Sequence, residues 1–321
     1  MIPQKKCSQK LCNAPESRCD AGEADPKDCL NFQGSGASAS SETSVRDESP
    51  ASSVAWTGST FGELDLARIA ARGRVSTITL IGASDAGKTS FLATLYLSLL
   101  NGKALPGYEF AGSWTLGGWE NISHKLRWLN STQPPSFPAH TPRNAARQPG
   151  LLHLTLRDEH DELHNVLFAD APGEWFERWA VDRADPRSEG ARWLERHADA
   201  VAVLLDSERL SDPERRGGTR SKTLQLLTRV EDAFNVHSCA VVWAKHDAFV
   251  HNAAIKAVEN KVAQMPGIEE FKTISANNTL PSSGVVELAA WLVNQAIISH
   301  GLGEIEVPLG TTPFAQFRGR P

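Results

Sequence analysis

The stretch Gly82-Ala83-Ser84-Asp85-Ala86-Gly87-Lys88-Thr89 sets glycines, a lysine and a hydroxyl at the spacing G-x4-G-K-[ST]. Glycines at that spacing let the backbone curl until successive N–H groups point inward at phosphate oxygens, and a helix starting there adds its positive end. In this reading Gly82, Ser84, Asp85, Ala86, Gly87 and Ser90 form the phosphate-binding set, Lys88 reaches the outer phosphates as a catalytic cation, and the Thr89 hydroxyl ligates Mg2+. Asp170-Ala171-Pro172-Gly173 is a D-x-x-G directly after an apolar run. There Asp170 can reach Mg2+ through water and the Gly173 N–H can touch a γ-phosphate; the plainer alternative is that Asp170 caps the next helix. Glu174 then stands where a side chain orients an attacking water. Thr141, within His140-Thr141-Pro142-Arg143, is the candidate to close over metal and γ-phosphate, ahead of Thr115.

Base recognition has its own residues. Ala244-Lys245-His246-Asp247 follows the run CAVVW and matches N/T-K-x-D except at its first position. A carboxylate at Asp247 accepts two hydrogen bonds from guanine N1–H and N2–H2, which adenine does not donate, and Lys245 lies along the base plane. Ala244 lacks the side-chain bonds that Asn or Thr would make, which weakens the case for strict guanine preference. Ser275-Ala276 is placed to offer a backbone N–H to guanine O6.

Four further residues suggest metal. Cys7, Cys12, Cys19 and Cys29 sit in the first thirty positions, with Cys239 alone in the body. Clustered thiolates in a reducing compartment suit tetrahedral Zn2+ better than disulfides. Their spacing C-x4-C-x6-C-x9-C is not a paired C-x2-C form, so a zinc knot and a metal-free tail both stand.

These groups need a scaffold. With 321 residues, 40% of them hydrophobic, and a net charge of -5, the chain has the material for one large α/β domain with extensions. Nothing in that charge invites nucleic acid or anionic lipid, no apolar run reaches membrane-spanning length, and the start MIPQKK has no secretory core; a cytoplasmic protein is expected. The expected plan is a cysteine-bearing segment over 1–32, a disordered linker of small polar residues over 33–60, a nucleotide-binding domain over 61–301, and a tail over 302–321. Within the domain, 101–149 reads as an insertion with its own packing around Trp114, Trp119 and Trp128, with a short helix near 120–129. The runs 76–82, 200–206, 239–245 and 271–275 read as strands, alternating with helices near 89–100, 221–232, 252–265 and 283–299. The segments 151–157 and 163–170 read as a hairpin whose tip carries His160 and His164, solvated rather than metal-binding. Strand–helix alternation implies a P-loop-type three-layer sandwich, its sheet mostly parallel with one antiparallel hairpin strand. Trp175, Trp179 and Trp193 follow the D-x-x-G and are either core or a partner surface.

With four motifs in this order, the region 76–299 resembles the translation-factor-related (TRAFAC) clade of P-loop GTPases, and more specifically the bacterial double-GTPase type 2 family. Ala111-Gly112-Ser113-Trp114-Thr115-Leu116, the run from Asp170 to Glu174, and Leu204-Leu205-Asp206 carry the closer resemblance. It implies a switch that hydrolyses GTP to GDP with Mg2+, working with a protein partner, often a second GTPase, in bacterial conflict or defence gene clusters. Glu174 in place of the usual Gln adds negative charge beside the phosphates, so slow intrinsic hydrolysis is expected. An ATPase or kinase using the same loop, and a GTP-binding scaffold that does not hydrolyse, are the competing readings.

Overall fold

Strands that are apolar at consecutive positions must be covered on both faces, and the centre of this chain is built from them. The structure, a computed structural model, describes residues 60–70, 73–127, 150–273 and 284–298. Seven strands form one sheet: β1 (Val75–Ile81), β2 (Tyr108–Gly112), β3 (Gly150–Asp158), β4 (Leu163–Asp170), β5 (Ala200–Asp206), β6 (Cys239–Ala244) and β7 (Glu269–Lys272). Their spatial order is β2-β3-β4-β1-β5-β6-β7. β3 pairs antiparallel with both β2 and β4, and every other pairing is parallel. One strand therefore runs against the other six, as the hairpin implied.

The period-two alternation of each strand divides the core. In β5, Ala200, Ala202 and Leu204 face one layer, and Val201, Val203 and Leu205 the other. The first layer holds α2 (Lys88–Leu100), α3 (Leu116–Ser123) and α9 (Val285–Ile298). The second holds α1 (Glu63–Ala70), α4 (Gly173–Val181), α5 (Glu189–His197), α6 (Ser207–Ser211), α7 (Arg216–Ala233) and α8 (Ala253–Val262). This is a three-layer α/β sandwich. In α9, Val285, Val286, Leu288, Leu292 and Val293 are all buried against the sheet. Among the described residues no helix is long and apolar enough to cross a membrane.

The structure corrects two expectations and decides one left open. The described part of the 101–149 region does not pack by itself: β2 extends the main sheet, and Trp119 is fully buried in the main core, stacked on Tyr96 and edge-on to Phe168. Its helix also starts earlier, at Leu116, and ends in a short turn over His124–Leu126. The reason is a set of polar staples to one strand residue, His153. Trp119 Nε1 and Ser113 Oγ donate to its carbonyl, its N–H donates to Thr115 Oγ1, and its Nδ1 accepts from the Trp114 N–H. Thr115 is thereby committed to structure. Second, of the two readings open for Trp175, Trp179 and Trp193, core is the one found, at between 1% and 8% exposure, so they offer no partner surface in this conformation. Third, His160 is exposed, but His164 is half-buried and pairs with Asp158 at 2.9 Å. Asp158, Glu162 and His164 do bring ligand atoms within 4.8 Å of one another, yet Asp158 Oδ1 is taken by the N–H groups of His160 and Glu162, which makes it the organiser of the hairpin turn.

Candidate nucleotide-binding site

Parallel register brings the motif ends together. Thr79 lies opposite Ala169 and Ile81 opposite Val203, so the chain leaves β1, β4 and β5 at neighbouring points. The carboxyl ends of an open parallel sheet are where such folds hold ligands. Gly82 follows β1 directly, and a side chain there would press within 2.9 Å of the Leu204 carbonyl. Gly87 caps α2 with φ 98°, a left-handed turn that glycine adopts without strain. Asp85 holds φ 67° at the loop tip, an uncommon conformation for a residue with a side chain.

Inside the curl, Lys88 is buried, and its Nζ donates to the carbonyls of Gly82 and Ala83, both at 2.9 Å. Burial lowers its pKa to about 8, against the opposing pull of the Asp170, Glu174, Glu177 and Asp85 carboxylates. Thr89 Oγ1 donates to Asp170 at 3.0 Å. The cap of α4 is Pro172, with no side-chain bond, so Asp170 does not serve as a helix cap. Ser84 Oγ is buried without a hydrogen-bond partner. Gly173 begins α4 against the loop backbone, where a Cβ would lie 2.2 Å from Ser84 N. Glu174, next along, is partly buried in the first turn.

On the other side, β6 ends at Ala244 and Lys245 turns left-handed at φ 54°. Asp247 is exposed on the short turn that follows. Lys245 Nζ bonds Asp206 at 2.9 Å and Glu208 at 3.0 Å. Burial disfavours its charge, but those two carboxylates hold its pKa above the ordinary value. Thr141, Ser275 and Ala276 lie outside the described residues, as do Cys7, Cys12, Cys19 and Cys29, so the zinc expectation has no support here.

Two residues that motif reading missed touch the loop. Glu177 of α4 accepts from the Ser84 N–H at 3.2 Å and pairs with Lys222 of α7 at 2.7 Å. Burial opposes its ionisation, but Lys222 and the Ser84 N–H bring its pKa below the usual carboxylate value. Arg209 of α6 donates to the Ser84 carbonyl at 2.8 Å and to Asp85 at 2.6 Å. A charged residue three positions after Leu204-Leu205-Asp206 was the only signal available for Arg209, and for Glu177 only its place one helical turn after the glycine of D-x-x-G. A cavity of about 590 Å3 opens between these helices beside Ala83. The cations on its wall, Arg209, Arg215 and Lys222, all pair with carboxylates, so its chemistry selects no ligand class. The arrangement as a whole gathers backbone N–H groups, one buried cation and a hydroxyl–carboxylate pair at the carboxyl ends of the central strands, with an exposed carboxylate beyond.

A family model described as Double-GTPase 2 matches residues 76–292. No curated protein shows a significant match. Among solved structures, a putative nucleolar GTP-binding protein 1 of Plasmodium falciparum is similar over 70% of this chain and 89% of that one, at 16% identity and a TM-score of 0.38. A variant of Era from Aquifex aeolicus bound to GDP.AlF4− is similar over 70% of this chain, at 14% identity and a TM-score of 0.36. This chain spans 57% of that Era chain.

Proposed function

This chain belongs to the double-GTPase 2 family, and on that premise we propose that it is a GTP-binding switch that hydrolyses GTP to GDP slowly on its own. The observation that carries the reading is the joining of two motifs remote in sequence: Lys88 folded into the glycine loop, and Thr89 bonded to Asp170 across 81 positions. The residues suit a Mg2+-bound nucleoside triphosphate. Ser84 Oγ is a buried hydroxyl that lacks a partner, Lys88 is a cation held among carbonyls that a phosphate oxygen replaces with stronger attraction, and Thr89 with Asp170 is an oxygen donor pair of the kind Mg2+ takes. Mg2+, when bound, neutralises charge on the phosphates and on the departing oxygen.

The chain's own residues then have these roles. The N–H groups of Asp85 and of Gly87 to Ser90 orient the phosphates, with the Ser84 hydroxyl beside them, Lys88 balances charge that develops in the transition state, and the Gly173 N–H reports the terminal phosphate to α4. Asp247 reads the base edge with Lys245 beside it, and Thr141, Ser275 and Ala276 complete the set from outside the described residues. Glu174 accepts a hydrogen bond from the attacking water but repels the phosphates, which is why turnover by the isolated protein is slow. A protein partner, in the family's pattern a second GTPase in a bacterial conflict or defence system, supplies the acceleration.

The test is titration of the purified protein and its Lys88→Ala variant with fluorescent GDP, GTP and ATP analogues in Mg2+. Guanine-selective binding that Lys88→Ala abolishes is expected. Equal affinity for ATP would replace the GTPase reading with an ATPase, and binding unaffected by Lys88→Ala would dismiss the loop as the phosphate site.

A further inference from the structure

Ala244 ends β6 where the guanine-reading pattern carries Asn or Thr, and its methyl has no means of bonding to the phosphate loop. It stands only in van der Waals reach, 4.0 Å from where a Cβ on Gly87 would be. The loop and the base-reading turn are nonetheless joined, by another route. Asp206, at the end of β5, lies opposite Ala244 in the sheet and is 4% exposed. Its Oδ2 takes Lys245 Nζ at 2.9 Å and lies 3.6 Å from Arg209 Nε, while its Oδ1 accepts the Arg209 N–H at 3.1 Å and so starts α6. From there the Arg209 guanidinium reaches the loop tip, with one arm on the Ser84 carbonyl and the other on the Asp85 carboxylate. That bond to the loop is charge-assisted and forked, a geometry only arginine offers.

We infer that Asp206 and Arg209 form a clasp that holds the phosphate loop in register with Lys245 and Asp247, taking over the tethering that the side chain at Ala244 does not provide. Arg209 is then a positioning residue for the nucleotide as a whole. It aligns two half-sites, one for the phosphates and one for the base, without touching either ligand group. A ligand that spans both half-sites gains from their alignment, and a ligand that fills only one does not. The inference rests on the GTP-binding reading proposed above, and its test separates the two.

The experiment measures the affinity of GDP and of inorganic pyrophosphate, each with Mg2+, for the full chain and for Arg209→Ala and Arg209→Lys, with chemical denaturation of each variant as the folding control. Loss of one charge-assisted bond corresponds to about a tenfold effect on an equilibrium. The expected result is that Arg209→Ala weakens GDP about tenfold and leaves pyrophosphate within about twofold. Arg209→Lys, which keeps one arm, is expected to fall between Arg209→Ala and the unaltered chain. Equal weakening of both ligands would overturn the clasp, since Arg209 would then act on the loop alone, and so would GDP affinity unchanged in both variants. If the unaltered chain binds pyrophosphate but not GDP, the guanine reading itself fails and the clasp falls with it.

Discussion

Replacing Gly173 by alanine puts one methyl group where the structure has no room. The added Cβ would lie 2.2 Å from Ser84 N, 2.4 Å from the Ala83 carbonyl carbon and 2.6 Å from Ser84 Cα, all of them backbone atoms that no rotamer change can move. Carbon contacts settle near 3.5 Å, so the start of α4 must withdraw from the phosphate loop by about 1 Å or more. The Glu177–Ser84 bond, now 3.2 Å, then stretches beyond hydrogen-bonding range. Overpacking of this kind costs about 1–3 kcal/mol of stability. Function suffers more, because a misplacement of about 1 Å at a reacting centre reduces rate about a hundredfold. Single-turnover GTP hydrolysis is the assay, alongside GDP titration, and Trp175 on α4 is a natural fluorescence reporter of the helix. We expect hydrolysis about a hundredfold slower with GDP affinity within about threefold. A variant that hydrolyses at the unaltered rate would refute the claim that close approach of Gly173 to the loop is part of the site.

Three other outcomes follow from the same structure. Gly217→Ala in α7, where a Cβ meets nothing within 4 Å, should stabilise the fold by about 0.5–1 kcal/mol, read as a raised denaturant midpoint. Glu174→Gln removes a negative charge beside the phosphates and should raise intrinsic turnover several-fold, to about tenfold; a slower variant would mean that the carboxylate helps the water more than it harms the phosphates. His153 is fully buried, and burial lowers its pKa to about 4. It is neutral in the fold, so its contribution is complete above the unfolded value of 6.5 and is lost as pH falls towards 4, at most about 3 kcal/mol. Asp199, pushed up to about 6 by burial, acts with the opposite sign over part of that window. The measurement is therefore the difference in unfolding free energy between the unaltered chain and His153→Gln at pH 7.5 and 4.5, which should shrink at the lower pH.

The residues that depend on local chemistry were legible. Gly87 and Lys88 declare a curled loop because no other residue types satisfy its backbone, and the consecutive apolar residues of β5 and β6 declare buried strands because nothing else tolerates them. What pattern reading got wrong depended on partners far along the chain. Trp119 and β2 look like a separate insertion until His153 is seen to accept and donate the bonds that fix them. The tryptophans after Gly173 were left open between core and partner surface, and only burial in the fold decides for core.

The sequence by itself determined that this chain makes a mostly parallel sheet and curls around a phosphate-sized centre, because strand burial, helix period and glycine dihedrals are properties of neighbouring residues. Only the tertiary structure decided how the pieces act as one site: that Glu177 and Arg209 grip Ser84 from two helices, that Asp206 joins the loop to Lys245, and that Gly173 must be bare. Those are contacts across 93, 125, 39 and 89 positions or so of chain. Distance in space between such residues is set by the register of β1, β4, β5 and β6, which no local pattern encodes.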